Sequence, residues 1–392
     1  MELFWSTEDD AFRQRLRAWL AANLPGFRHL PSEPTAALAE SRRWQRALFD
    51  AGFVGVGWPR EFGGQGAPVT QQAILSEELA RAGAPPLPGT IGLMTLGPAL
   101  VRYGSEDQRR RFLPGILTGE HLWCQGFSEP GAGSDLSALR TRAELHGDEF
   151  VVSGQKVWTS LAAVADWCFL LARTDPSAPP RQGISYLLMD MRSSGVRIVP
   201  IRQITGKRHF AELFLDEVRI PRANVVGELH GGWAVAKATL GFERSGLSGI
   251  VELERHLTGL TALARARGVA ADPVVRQQIA QLRIDVETLR YTGYRVLTHQ
   301  ARGRHPGAAG AIGKLAASEL RRRIMDEAMA LQGPFAAIGR GNGQALDRGR
   351  WQGLYLDARA YTIGGGTSEI MRNVIAEQVL GLPRSQEERT TT

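Results

Sequence analysis

Two short stretches of this chain combine residue types suited to gripping a flat aromatic ligand. The first reads Trp123-Cys124-Gln125-Gly126-Phe127-Ser128-Glu129-Pro130-Gly131-Ala132-Gly133-Ser134-Asp135. It is polar and turn-rich, and Gly131 and Gly133 let the backbone come close to a ligand. The second, Gly154-Gln155-Lys156-Val157-Trp158-Thr159-Ser160, sets a large indole beside small hydroxyls on a strand-like run. Neither is a phosphate loop, because no Lys-Ser or Lys-Thr follows the glycines and no helical pattern opens behind them. Together they suggest a site that holds a flat ring by stacking and by backbone or hydroxyl hydrogen bonds.

The segment Ser128 to Asp135, followed by Gly154 to Ser160, closely resembles the flavin-binding segments of the acyl-CoA dehydrogenase family. A third match is Gly364-Gly365-Gly366-Thr367-Ser368-Glu369-Ile370, followed by Leu380-Gly381-Leu382-Pro383-Arg384. The motifs stand in the family's order and span nearly the whole chain, a far more specific signal than one Gly-x-Gly. The resemblance implies FAD as cofactor and an acyl-CoA thioester as substrate. The implied reaction is α,β-desaturation: a carboxylate removes the α proton, donors polarise the carbonyl, and the β hydrogen leaves as hydride to flavin N5. It further implies a role in lipid β-oxidation and an electron-transfer flavoprotein or similar acceptor. It also implies a homotetramer, or a heterotetramer with a sister subunit.

Many members of the family carry a Glu just before the Gly-Thr of the third motif, where this chain has Gly365. A minority branch, including isovaleryl- and long-chain-type enzymes, places it instead on the helix after the middle domain, just before an Arg. Leu240-Gly241-Phe242-Glu243-Arg244 stands in that place. The resemblance therefore makes Glu243 the general base, with Gly365 leaving room for a carboxylate that arrives from elsewhere. An arbitrary helix-face Glu would simply pair with a nearby Arg; the Gly365 exchange and the adjacent Arg244 favour catalysis. Gln125, Phe127 and Ser128 match residues lining the flavin, largely through backbone groups. Trp158 matches the aromatic beside the ring, and Ser160 the hydroxyl near N5. Thr367 and Glu369 match positions near the flavin diphosphate and ribityl chain. On the substrate side, Ser134 resembles a serine that meets the pantetheine or phosphate part of coenzyme A. Arg244 is expected to orient Glu243 or to meet coenzyme A, and the Gly365 amide to donate to the thioester carbonyl. The plainer alternatives are a core tryptophan for Trp158 and a turn residue bonding its own backbone for Ser134. No metal is expected.

The chain departs from the family in two places. Arg265-Ala266-Arg267-Gly268-Val269 lacks the Phe-Gly of the family's Arg-x-x-Phe-Gly element, and Ala330-Leu331-Gln332-Gly333-Pro334 alters its Gln-x-x-Gly-Gly element. Arg265, Arg267, Arg276 and Gln332 are the candidate substitutes. Similar departures occur in members built from two different subunits, several of which act on steroid side-chain thioesters. A flavin oxidase or monooxygenase on the same fold is a third reading, which the Glu243-Arg244 pair disfavours.

These residues need a frame to position them. With 392 residues, 43% hydrophobic and 22% charged, the chain is long enough for two or three cores. The net charge of +7 is an arginine surplus, since the only lysines are Lys156, Lys207, Lys237 and Lys314. The arginines are dispersed and no nucleic-acid module is present, so a polyanionic substrate such as coenzyme A suits the charge better. No uninterrupted apolar run is long enough to span a membrane. The acidic N-terminus does not read as a secretory signal. Cys124 and Cys168 are too few for a disulfide scaffold, and a reduced, cytoplasmic setting is expected.

The predicted architecture is α+β. An N-terminal α-helical domain covers residues 1–122, a middle β-barrel domain 123–226, and a C-terminal four-helix bundle 227–392. Ser6 or Thr7, with Asp9 or Asp10, signals a capping box before the apolar face of Phe12, Leu16, Trp19 and Leu20. Helices are also expected from Thr35 to Ala51 and from Thr70 to Ala82. A hairpin should turn at His146-Gly147-Asp148, with further strands at Cys168 to Leu171, Ile184 to Met189 and Leu213 to Ile220. Val275, Ile279, Leu282, Val286 and Leu289 mark the seam of a bundle helix.

Overall fold

The structure is a computed structural model that describes residues 5–243, 248–303 and 309–383. The N-terminal helices are α1 (Thr7–Asn23), α2 (Pro34–Asp50), α3 (Val69–Ala82), α4 (Gly97–Tyr103) and α5 (Glu106–Thr118). The strands are β1 (Trp123–Gly126), β2 (Arg142–His146), β3 (Glu149–Ser160), β4 (Trp167–Arg173), β5 (Ile184–Asp190), β6 (Val196–Ile201) and β7 (Phe210–Pro221). Helices resume with α6 (Gly232–Glu243), α7 (Ser248–Ala266), α8 (Pro273–Ala301), α9 (Ala309–Gln332), α10 (Arg350–Tyr361) and α11 (Ser368–Val374). Among the described residues no helix is long and apolar enough to cross a membrane.

The chain divides into two compact units. One contains residues 11–75 and 82–243; the other contains residues 1–10, 76–81 and 244–392. In the first, β1 pairs in parallel with β4, and β4 pairs antiparallel with β5. The strands β2, β3, β7 and β6 follow one another in antiparallel register. All seven strands put side chains into one apolar cluster, among them Cys124, Ala143, Phe150, Leu170, Leu187, Leu213 and, packed against it, Ile198. A flat sheet cannot deliver its end strands to one core, so this sheet wraps around it, as a barrel-like middle domain does. Cys124 and Cys168 face each other across β1 and β4 as buried thiols. The expected hairpin is present, with His146 opposite Glu149. Edge strand β6, which carries Arg197 and Pro200, does not keep strict alternation of burial.

Helices of the same unit lock onto that sheet. Phe112 of α5 meets the Trp123 and Trp167 rings edge-on at 5.3 and 5.0 Å. Ser105 and Gln108 form a capping box at the start of α5. The Gln108 amide then donates to the Ala223 and Val225 carbonyls, both at 2.7 Å. Helix α6 packs on β5 at Gly232, where a Cβ would lie 2.5 Å from the Ser185 and Tyr186 backbone. Only glycine permits that approach.

In the other unit, α7, α8, α9 and α10 share a core that includes Leu253, Leu260, Leu282, Val286, Leu289, Ile324 and Trp351. The predicted α8 seam supplies the three fully buried members of its stripe, with Ile279 packed at the margin. Asp272 starts α8 by accepting from the Val274 amide at 2.7 Å, with Pro273 at the first helical position. The N-terminal capping box uses Ser6 and Asp9, each backbone amide donating to the other's side chain at 3.1 Å.

Candidate active site

The two aromatic-ligand motifs meet on the sheet unit through their backbones. The Val157 amide donates to the Ser128 carbonyl at 2.9 Å, joining the end of the first motif to the middle of the second. Opposite, Lys156 pairs with Leu213 and Thr159 with Ala211, so Val157 and Trp158 stand against the single residue Glu212. This β-bulge re-aims the chain. Trp158 lies at a left-handed φ of 59°, and its indole is 58% exposed. It rests edge-on against Phe210, with 6.1 Å between ring centres. The tryptophan is therefore a surface platform and not a core residue. A second bulge, on β7, sets Asp216 and Glu217 against Ser153, and the Glu217 amide donates to the Ser153 hydroxyl at 3.2 Å.

Gln125 and Ser128 are half-buried, as is Ser160 opposite Phe210. The Phe127 side chain is core: it is 4% exposed and meets Phe169 and Tyr186 edge-on, and its carbonyl accepts from the buried Lys156 ammonium. Ser134 is exposed on the loop after the Glu129–Ala132 bridge. The Thr159 hydroxyl is buried without a hydrogen-bond partner among the described residues.

The sequence reading overlooked the ion pair beneath this surface. Lys156 is fully buried, and its Nζ donates to Glu129 Oε1 at 2.7 Å and to the Phe127 carbonyl at 3.3 Å. Glu129 also accepts from the Arg140 amide at 2.6 Å and the Thr141 amide at 2.9 Å. Burial pushes the Glu129 carboxyl up, but the Lys156 charge and these donors outweigh it and hold it below the usual range. Burial lowers the Lys156 ammonium despite its partner. The signal was available: Phe150, Val152 and Lys156 fall on even positions of one strand, and lysine is scarce in this chain.

Glu243 is the last residue of α6; its side chain, and Arg244 altogether, lie outside the described residues. In the bundle unit the third motif forms a turn in which Gly365 and Gly366 take φ of 68° and 103°. Helix α9 grips this turn. Lys314 donates to the Gly366 carbonyl, and the Ser368 hydroxyl donates to Glu319 at 2.7 Å. Thr367 caps α11, its hydroxyl accepting from the Ile370 amide at 3.1 Å. Glu369 is exposed and pairs with Arg372 at 3.3 Å. Glu319, Arg322, Thr362, Thr367 and Arg372 line a cleft of about 350 Å³. Of the substitutes considered for the altered elements, Gln332 is 2% exposed and donates its amide to the Ala328 carbonyl, so it serves its own helix. Arg265 and Arg276 are exposed, and Arg267 lies over Phe335.

Residues 6–120, 124–218 and 230–380 match the N-terminal, middle and C-terminal domains of acyl-CoA dehydrogenase. The chain is 42% identical to acyl-CoA dehydrogenase IpdE1 of Mycobacterium tuberculosis, over 96% of this chain and 98% of that protein. Among solved structures it superposes on the Tcur3481-Tcur3483 steroid ACAD with a TM-score of 0.85 and 33% identity, covering 98% of this chain and 100% of that one. The ChsE4-ChsE5 complex from Mycobacterium tuberculosis gives the same TM-score, 0.85, at 31% identity, again with 98% and 100% covered. The chain belongs to the acyl-CoA dehydrogenase family, flavoprotein oxidoreductases that act on CH–CH bonds.

Proposed function

We propose that this chain is an FAD-dependent acyl-CoA dehydrogenase in which Glu243 is the general base. The observation that carries the reading is the junction of the two motifs at the Val157–Ser128 hydrogen bond, with the Trp158 indole turned out of the core on a strained bulge. A bulky residue at positive φ costs about 1–3 kcal/mol, and such strain concentrates at ligand sites. An exposed indole two residues from half-buried Ser160, with half-buried Ser128 joined to the adjacent Val157, suits a flat ring, so the residues present fit the flavin.

When bound, FAD supplies the hydride acceptor for the β hydrogen. The chain's own groups supply the rest. Glu243 takes the α proton, and the Gly365 amide donates to the thioester carbonyl as negative charge grows there. The open left-handed turn at Gly365 presents a main-chain donor without a side chain. Ser128, Ser160 and the Trp158 face hold and orient the ring; Thr367 and Glu369 are assigned to its diphosphate and ribityl portion. Ser134, exposed just after the Glu129–Ala132 bridge, is assigned to coenzyme A. Glu243→Gln should retain yellow flavin and lose desaturation by about 10²–10⁴-fold. Unchanged turnover in that variant, read with an artificial electron acceptor, would remove Glu243 from the mechanism.

A second reading concerns assembly. Gln332 is buried and committed to its own helix, which removes one contact expected at the adenine end of the flavin. Two structural relatives, the ChsE4-ChsE5 complex and the Tcur3481-Tcur3483 steroid ACAD, support the same reading. We infer a heteromeric enzyme that acts on a steroid-derived acyl-CoA and passes electrons to an electron-transfer flavoprotein. A screen of short, long, branched and steroidal thioesters tests the substrate; preference for a short straight chain would overturn it.

A further inference from the structure

We propose that the buried Glu129–Lys156 pair is a positioning device that fixes the flavin-facing surface of the sheet unit; this deepens the reading above and rests on it for the ligand. One pair of side chains ties three separated segments together. Lys156 reaches the Phe127 carbonyl at 3.3 Å and the Glu129 carboxylate at 2.7 Å. Glu129 in turn gathers the Arg140 and Thr141 amides at 2.6 and 2.9 Å. The Trp158 bulge opens immediately after Lys156, and the Val157 amide binds the Ser128 carbonyl at 2.9 Å. The lysine and the Val157 amide are thus the fixed points that lead into the strained residue.

Stability alone does not account for the pair. Taking two charges out of water is costly, and well-packed apolar residues of similar volume often serve as well or better. What apolar side chains cannot supply is direction. Here three N–H donors converge on one carboxylate and a fourth contact fixes a carbonyl, so the carbonyls of Phe127 and Ser128 and the start of the bulge are held in one arrangement. Preorganising a ligand surface in this way requires groups locked beneath it.

The test uses the full-length chain labelled with 5-fluorotryptophan, followed by ¹⁹F NMR, with the Trp158 signal assigned by its loss in Trp158→Phe. Lys156→Met keeps the aliphatic volume and removes both hydrogen bonds. It should shift or broaden the Trp158 signal, leave those of the bundle tryptophan Trp351 unchanged, and weaken FAD binding roughly tenfold or more. Lys156→Gln, a neutral donor, should recover part of both effects. A wild-type Trp158 signal in Lys156→Met would overturn the proposal, and a moved signal with wild-type FAD affinity would overturn its link to the ligand. If Lys156→Met does not fold, Glu129→Gln takes its place: a displaced signal supports the pair, and an unmoved one sinks it. Failure of the wild-type chain to bind FAD both alone and together with its sister subunit would remove the flavin reading, while the fluorine signal would still judge the pair.

Discussion

Trp158 occupies a backbone conformation that bulky residues avoid, and it does so with most of its indole in solvent. Its removal should therefore be cheap for the fold and expensive for the ligand. Trp158→Ala is expected to change stability by no more than about 1 kcal/mol, in line with exposed positions generally. The same variant should lose flavin on desalting; a thermal melt beside a visible spectrum checks both. Gly154 is the opposite case. A Cβ there would lie 2.5 Å from the Thr141 hydroxyl and 2.7 Å from its Cα, on the segment that feeds Glu129. Gly154→Ala should destabilise by about 1–3 kcal/mol through overpacking, measurable by urea denaturation. The local character of the two ligand-gripping stretches was legible from the motifs, because stacking aromatics and turn glycines are rare in such combination. The outward aim of Trp158 was not, since strand alternation cannot anticipate a bulge.

At the scale of elements, the bundle carries a polar network of its own. Arg321 of α9 makes two bonds to Glu252 of α7, at 2.7 and 2.9 Å, and stacks over Tyr361 at 4.2 Å. His256 approaches Glu252 at 3.4 Å. The Arg321 hydrogen bonds, aided by His256 and against the effect of burial, hold the Glu252 carboxyl far below its ordinary value of 4.5. A depressed folded-state pKa means that this contribution is complete above the unfolded value and fades as pH falls below it. Stability should therefore decline as pH drops from about 5 toward 3, and Glu252→Gln should flatten that part of the curve in denaturant titrations at fixed pH. In the sheet unit, Gln108→Leu would orphan the Ala223 and Val225 carbonyls. A loss of about 1–3 kcal/mol is expected from leaving such groups unsatisfied, read by thermal unfolding. The α8 stripe was visible in the sequence by its spacing; the cross-helix pairs were not, because spacing along one helix says nothing of what a distant helix brings to it.

At the scale of the whole molecule, the net charge of +7 comes from dispersed arginines, many of them already paired on their own helices, as Arg110 is with Glu106 and Asp107. Exposed pairs of this kind add little stability. The assembly reading makes a simple demand of the purified chain. Alone, it should carry flavin well below one per protomer, and mixing with its sister subunit should raise that ratio and introduce desaturation together. Full flavin occupancy in a homo-oligomer, weighed by analytical ultracentrifugation, would leave the chain self-sufficient.

Local pattern by itself determines a good deal of this protein. The N-terminal capping box, the hairpin at His146-Gly147-Asp148, the apolar seam of α8 and the three family motifs each depend on residues close together in the chain, and short-range sterics and periodicity govern them. Tertiary packing decided the remainder. It buried Lys156 against Glu129 across 27 residues, spent Gln332 on its own helix, turned Trp158 outward at a bulge, and wrapped seven strands around one core. Those outcomes depend on which distant donor, acceptor or surface competes for each group, and that competition is resolved only when the segments meet.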